Sequence, residues 1–462
     1  MKHFYLSTLC VLFLLSLSNA QSLEWIEGLG GTQNEIARKV YVDLNENVYV
    51  AGQFFGTVDF DPGPNIREVE SNGGSDAFVM KLDSQGNFQW VRTFGGTGND
   101  RSRSVILDDS GKILVVGEFK DTVDFSETVT PNIKTSNGGF DMFIVRLTNA
   151  GNDDTVYALG GTGDDYITDL VVDYNNDYLF TGTFNATVDF DPTTSGTFNI
   201  TSAGLGNGFI MKMFGLTTTP TFAWAKHFNS TGTYLNRSNA IAVDSNNNII
   251  SVGSFIDNAD FDPNSGVVNL TSTSRSIYIS KLDSDGNFIM VKQINYGVAN
   301  PENQDAKSLV IDSNQNIILS GFFRGSVDFD PNAGTHILTT AVAGNNTNPF
   351  ILKLTNNGDF MWANSLEANN IINHGSSLSL DSSDNIYLSG RFDGDIDLDP
   401  GAALNFHTAN GSDDAYFVKL SGLGDFEWGR TFGGTMSDYI TSSYFRGSNL
   451  YNVGRFGGTV DF

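Results

Sequence analysis

The sequence is poor in cysteine and in positive charge, and it has no second long apolar run. Its one cysteine, Cys10, lies within the first twenty residues, so the rest of the chain has no disulfide and no thiol chemistry. Lys plus Arg number 26 against 53 Asp plus Glu, a net charge of −27. A chain this acidic repels phosphate backbones, which argues against nucleic acid as a partner. Charged residues are only 17% of the 462 and hydrophobic residues 40%, so the chain is not a disordered tail. Proline is scarce at 10, whereas Gly reaches 50 and Phe 36. That mixture suits many short strands joined by turns rather than helical bundles.

Catalytic signatures are also missing. The chain has no His-Glu-x-x-His, no Gly-x-Ser-x-Gly and no Gly-x-x-x-x-Gly-Lys phosphate loop. The histidines beyond residue 20 are His227, His336, His374 and His407, each in a different context. They read as solvated loop residues.

Residues 1–20 read as a cleaved secretory signal peptide, and 21–462 as the mature chain. Lys2 supplies the positive start, and the apolar run from Phe4 to Leu17 is too short to span a bilayer. Ser18-Asn19-Ala20 places small residues at the cleavage site. An uncleaved N-terminal anchor is the alternative. No other run looks transmembrane, so the expected location is extracellular, secreted or on the cell surface.

One register recurs seven times. Val-Asp-Phe or a close variant places Asp at 59, 124, 189, 260, 328, 397 and 461. A Gly lies seven residues earlier in each copy, from Gly52 to Gly454, and a Phe two residues after that Gly. Six copies carry an Asp nine residues before the Gly: Asp43, Asp108, Asp173, Asp244, Asp312 and Asp381. Each complete copy holds four strand signals, such as Ala240–Val243, Asn47–Phe54, Asp76–Leu82 and the stretch from Trp90. Turns such as Asp244-Ser245-Asn246-Asn247-Asn248 separate them.

A four-stranded antiparallel unit repeated in this way is a propeller blade, because neighbours around a ring cover the faces that one blade leaves bare. The expected fold is therefore all-β: a seven-bladed β-propeller of four-stranded antiparallel blades. The phase of the repeat puts a fourth strand at Leu23–Leu29 and ends the chain after the second strand of copy seven. The last blade is then incomplete, closed by the N-terminal strand, and the chain is a fragment cut mid-blade; a three-stranded seventh blade is the alternative.

All five tryptophans, Trp25, Trp90, Trp224, Trp362 and Trp428, fall at one fourth-strand position. A large ring fixed in the repeat reads as packing between units rather than as a row of sugar-stacking platforms.

The Trp and Gly-Gly-Thr, the Asp turn, Asp-Ala-Phe-Val-x-Lys-Leu and Asp-Ser-x-Gly-Asn together resemble the secreted bacterial seven-bladed propeller repeats of the SBBP type. Copies one and two match best, and Gly-Gly-Thr is lost at Asn229-Ser230-Thr231, Asn295-Tyr296-Gly297 and Glu367-Ala368-Asn369. The resemblance implies an extracellular or cell-surface propeller and no particular chemistry.

Two acidic elements are site candidates. Asp283-Ser284-Asp285-Gly286-Asn287 resembles a short calcium loop, with Asp283, Asp285 and Asn287 as ligands. Hairpin geometry accounts for the same residues, and the turn offers fewer oxygens than calcium takes. Asp-Phe-Asp-Pro occurs in four copies, with Asp397-Leu398-Asp399-Pro400 as a fifth. It reads as a solvated turn, and a cation-collecting ring of carboxylates is the functional alternative. The long second-to-third-strand excursions share one end of the ring with the fourth-to-first connections, which makes that end the expected binding surface. The expected function is a monomeric, non-catalytic scaffold binding a protein or carbohydrate, with no cofactor. An extracellular lyase or glycosidase with its site at the central channel is the alternative.

Overall fold

The computed structural model describes residues 22–461 except Thr32, 194–195, 216–218, Thr231, Thr233, 297–303, 341–345 and 371–372. The expected signal segment, with Cys10, and Phe462 lie outside the described residues. Among the described residues all regular structure is β-strand and there is no helix. No helix is therefore long and apolar enough to cross a membrane.

In the first repeat, Ile36–Val42, Val48–Phe54, Asp76–Leu82 and Phe88–Phe94 pair antiparallel in that order. The same four-stranded order recurs in sheets that begin at Arg101, Tyr166, Arg237, Gln304 and His374. The seventh sheet is the two-stranded pair Tyr439–Arg446 and Asn449–Arg455. The second strand Val48–Phe54 is buried along its whole length, and so are Ile113–Phe119 and Tyr178–Phe184. Such strands are covered on both faces, so they read as near-continuous apolar runs.

The covering comes from the neighbouring sheets. One apolar cluster joins Tyr49 and Val79 of sheet one to Val115 and Phe143 of sheet two. Equivalent clusters link sheets two to three, three to four, four to five and five to six. Tyr387 of sheet six stacks on Phe445 of sheet seven at 5.1 Å. Sheet seven in turn meets sheet one: Tyr444, Tyr451 and Val453 pack against the cluster of Val40, Val48 and Phe54. Thr441 Oγ1 donates to the Ala37 carbonyl at 2.6 Å, and Arg446 Nη2 to the Val42 carbonyl at 2.9 Å. The chain of sheet-to-sheet contacts thus returns to its start.

Most of the repeated residues have structural duties. In five copies the Phe two residues after the Gly packs on the Phe of Val-Asp-Phe, as in Phe54–Phe60 at 5.1 Å and Phe323–Phe329 at 5.2 Å, both edge-on. Each Phe buried in this way contributes about 1.5–3 kcal/mol. The Gly itself faces the third-strand aromatic in register: Gly52 with Phe78, Gly253 with Tyr278, Gly390 with Tyr416. Val-Asp-Phe forms a small hairpin unforeseen in the sequence, Thr57–Asp59 with Glu68–Glu70. The segment after the preceding fourth strand adds to that hairpin as a strap: Gly30 opposite Asp59, Gly96 opposite Val123, Asn229 opposite Asp260, Glu367 opposite Asp397. A Cβ on Gly96 would sit 2.1 Å from the Thr122 carbonyl, which is why Gly-Gly suits this crossing.

Four of the five tryptophans pack between units, whereas Trp428 lies against Tyr387 and Phe417 of its own sheet. A Cβ on Gly151, at φ +80, would sit 2.9 Å from Trp90, and Gly86 and Gly424 meet Trp25 and Trp362 at 3.2 Å. In each case the ring lies on the hairpin glycine of the next sheet.

One expectation needs correction. Residues 22–29 are not a strand, although they lie where the sequence phase puts them. Trp25 sits 6.3 Å from Tyr451, and a Cβ on Gly28 would lie 3.3 Å from Phe456. A fourth strand needs the third strand's edge about 4.8 Å away to complete its ladder. Sheet seven holds two strands, so residues 22–29 pack beside it without pairing.

Candidate functional site

All seven first strands carry a one-residue β-bulge at the same place: Arg38, Arg103, Thr168, Asn239, Lys307, Ser376 and Thr441. Bulges re-aim side chains and often sit next to functional sites. Two residues earlier stand Ile36, Arg101, Tyr166, Arg237, Asp305, His374 and Tyr439. These two rows of side chains differ from copy to copy, whereas the packing positions repeat.

The first strands converge on one another. Lys39 of sheet one reaches Asp169 of sheet three at 3.0 Å, and Ser104 of sheet two donates to the same Asp169 oxygen at 3.1 Å. One residue before this crossing stand the bulge residues, and the end of the strands that they share is termed the mouth. It is the end where the long excursions lie, because the loop before the third strand bonds the fourth-to-first connection (Gly74 N–H to the Gly98 carbonyl, 3.0 Å).

Cations gather at this mouth in an otherwise acidic chain. Arg103 Nη2 lies 2.6 Å and Arg101 Nη1 3.4 Å from the fully buried Glu118. Lys307 lies 2.7 Å and Arg237 3.7 Å from the buried Asp305. Arg391 pairs with Asp413 at 3.2 Å and lies over the Tyr439 ring at 5.5 Å. Arg38 donates twice to the neutral Gln53 oxygen, at 3.0 and 2.7 Å. Burial, with Arg103 as the nearest cationic influence, lowers the Arg38 guanidinium to about 10. His374 stacks on Phe322 at 4.1 Å. Burial, reinforced by Arg391 and Lys307, lowers it to about 3, so it is neutral at physiological pH.

The four histidines are not solvated loop residues. His374 begins a strand, and His227 ends one edge-on to Phe184 at 5.9 Å. His336 Nε2 lies 2.9 Å from the Ala363 carbonyl, and His407 bridges Thr431 and Asn405, each at 2.9 Å. Their repeat positions pack against strands, which isolated sequence context does not show.

The acidic candidates lie elsewhere. Asp283 Oδ1 accepts the N–H groups of Asp285 and Asn287 at 2.9 and 2.8 Å, and Oδ2 accepts Asn287 Nδ2 at 2.9 Å. Burial, the largest single influence, pushes its carboxyl up, but these hydrogen bonds and Lys226 together hold it below the usual range. Asp285 is exposed. In Asp-Phe-Asp-Pro the first Asp caps its own hairpin: Asp328 Oδ1 accepts from Asp330 and His336 N–H at 3.1 and 2.8 Å. Among the described residues no group of three or more His, Cys, Asp or Glu is arranged to hold a metal ion.

A shallow cleft of about 270 Å³ lies between sheets one and two, lined by Trp90, Arg92, Glu127 and Gly151. Arg92 there already pairs with Asp153 at 2.6 Å and Glu127 at 3.2 Å, and donates to the Gly151 carbonyl at 2.7 Å. The mouth was missed in the sequence because its arginines are scattered over more than 350 positions. Alignment of the copies on the Gly, followed by a search for positions that differ among them, would have found it.

Comparison with known proteins gives distant similarity. No protein-family profile matches the chain. A stretch of 189 residues, 36% of this chain, is 24% identical to an uncharacterised WD repeat-containing protein of Acanthamoeba polyphaga mimivirus and spans 14% of it. Another of 163 residues, 34% of this chain, is 26% identical to the regulatory protein FlaEY of Caulobacter vibrioides and spans 17% of it. Among solved structures, a protein of unknown function from Bacteroides caccae aligns over 80% of this chain and 96% of its own at 9% identity, with a TM-score of 0.37.

Proposed function

We propose that the chain forms a seven-bladed β-propeller, acting as a non-catalytic binding scaffold for a protein or carbohydrate partner. The seven repeats, the six joined apolar clusters and the return of sheet seven onto sheet one support the ring. The distant WD-repeat similarity points the same way. The signal-like residues 1–20 support export, to the medium or the cell surface.

One observation carries the placement of binding. The residues that differ among copies converge where the first strands meet, on the long-loop end. A rigid ring that keeps its packing residues and varies its mouth is suited to recognition. The same convergence gives the lyase or glycosidase reading its one support. However, Glu118 and Asp305 are each held by two cations, which leaves them poorly placed as a general acid and base pair. Calcium at Asp283, Asp285 and Asn287 belongs to the proposal only as an occasional ligand of an exposed hairpin.

Glycan and surface-protein arrays, followed by hydrogen-exchange footprinting of any hit, test the scaffold. Protection is expected in the first-strand starts and the long excursions. A footprint confined to the opposite turns, around 244–248 and 312–316, would count against it.

A further inference from the structure

We propose that the mouth binds a carboxylate-bearing glycan. This rests on the scaffold reading and adds the chemistry of its ligand.

Six cations, Arg38, Arg101, Arg103, Arg237, Lys307 and Arg391, meet three paired carboxylates there, Glu118, Asp305 and Asp413, and the exposed Asp164 beside Tyr166, which leaves an excess of two positive charges. The Lys39–Asp169 pair beneath them is neutral as a unit. In a chain of net charge −27 such an excess at one end of the first strands runs against the composition. The partition of solvent agrees. The five paired cations keep 26–41% of their side chains exposed, whereas the three paired carboxylates are at most 6% exposed. The paired anions are therefore buried, and their cations are the more exposed partners. Among the described residues Arg38 has no carboxylate within ion-pairing distance, and its charge is available to a ligand. Guanidinium forks match a carboxylate in two parallel hydrogen bonds.

Tyrosines among the cations favour a sugar over an acidic peptide: Tyr166 and Tyr439 stand there, and a tyrosine offers a hydroxyl and an apolar ring to a sugar.

The test is calorimetric titration of the purified chain with uronate oligosaccharides, neutral malto-oligosaccharides and a poly-glutamate peptide of matched charge. Uronate binding is expected, and it should weaken as salt rises from about 0.05 to 0.3 M. Arg38→Gln and Arg237→Gln should each raise the Kd by about tenfold or more, Arg237→Gln at an unchanged melting temperature. Neither leaves a buried carboxylate without a cation, since Arg38 bonds Gln53 and Asp305 keeps Lys307. Equal binding of the neutral sugar, tighter binding of poly-glutamate, or an unchanged Kd in both variants would overturn the proposal. A neutral array ligand that footprints on the same end and ignores both variants would overturn it while leaving the scaffold reading intact.

Discussion

Lys281 Nζ lies 2.9 Å from Asp244 Oδ2, and the two side chains are 6% and 0% exposed. Each comes from a repeat signature, Asp244 from the first hairpin and Lys281 from the third strand. The pair recurs as Lys353–Asp312 at 2.9 Å and Lys212–Asp173 at 2.9 Å. The lysine also reaches the next sheet, where Lys281 donates to the Asn356 carbonyl at 3.2 Å and Lys353 to the Gly422 carbonyl at 2.9 Å. One ammonium therefore ties a hairpin, a third strand and a neighbouring unit together.

Removal of one partner strands a buried charge, which costs about 3–5 kcal/mol. Asp244→Ala is expected in that range by urea unfolding, and it also removes the cap on Asn246 and Asn248 N–H. The half-buried Asp83 caps its hairpin in the same way without a buried lysine. Its alanine variant should cost about 1 kcal/mol. Equal losses at the two sites would show that the ion pair adds nothing.

The pH dependence follows from two sets of aspartates. Burial raises Asp76 and Asp165 to about 6 and Asp100 and Asp141 to about 7. A raised carboxyl favours the neutral form in the folded state, so folding gains stability as pH falls from 8 toward about 5. Hydrogen bonds outweigh burial at Asp244, Asp312 and Asp381 and lower their carboxyls. Their contribution is present above the unfolded value near 4 and is lost below it. Thermal melting across pH 3 to 9 should therefore show a maximum at mildly acidic pH, and a monotonic rise toward pH 9 would refute this account.

The buried Oδ1 atoms of Asp76, Asp141 and Asp414 have no hydrogen-bond partner. Copies three and five place Asn207 and Asn348 at the same strand position, and neither carries charge. Asp141→Asn should therefore stabilise the protein at pH 8 by about 1 kcal/mol and have little effect at pH 5. The comparison of the two pH values separates relief of charge burial from a general packing effect.

Trp90→Ala should cost about 3 kcal/mol, because the ring covers the Gly151 hairpin of the next sheet. Gly151→Ala should cost about 1 kcal/mol or more, through the φ of +80 and the 2.9 Å approach to Trp90. If the double variant costs no more than Trp90→Ala alone, the two positions act as one contact.

Among the described residues Asn449–Arg455 pairs with a strand on one side, Tyr439–Arg446, and its other edge is predicted to be receptive. Six second-strand glycines face a third-strand aromatic, whereas Gly454 lies in a two-stranded sheet. A peptide with the sequence of residues 76–87 should bind that edge and raise the melting temperature. The same peptide with Ala in place of its Phe should not. Equal effects from both peptides would remove the idea of a Gly–aromatic slot.

The repeat length, the strand order and the inter-unit packing of tryptophan were legible because seven copies average out local ambiguity. Third-strand bounds at Asp76–Leu82 match the structure, since Gly-Gly before the strand and Asp-Ser-x-Gly-Asn after it punctuate the chain. The small hairpin at Thr57–Asp59 was not legible, because three-residue strands carry no periodicity. The histidines were misjudged for a related reason. Their burial comes from partners far along the chain, as Phe322 is for His374.

Composition and repetition alone determined that this is an all-β chain of equivalent units, because hydrophobic alternation and turn chemistry act over a few residues. They could not determine where Arg38, Arg103, Lys307 and Arg391 meet. Those positions are separated by whole repeats, and only the packing of sheet upon sheet brings their charges together. A local pattern sets each unit's strands, whereas the field at the mouth is a sum over units and exists only once they are arranged around a common centre.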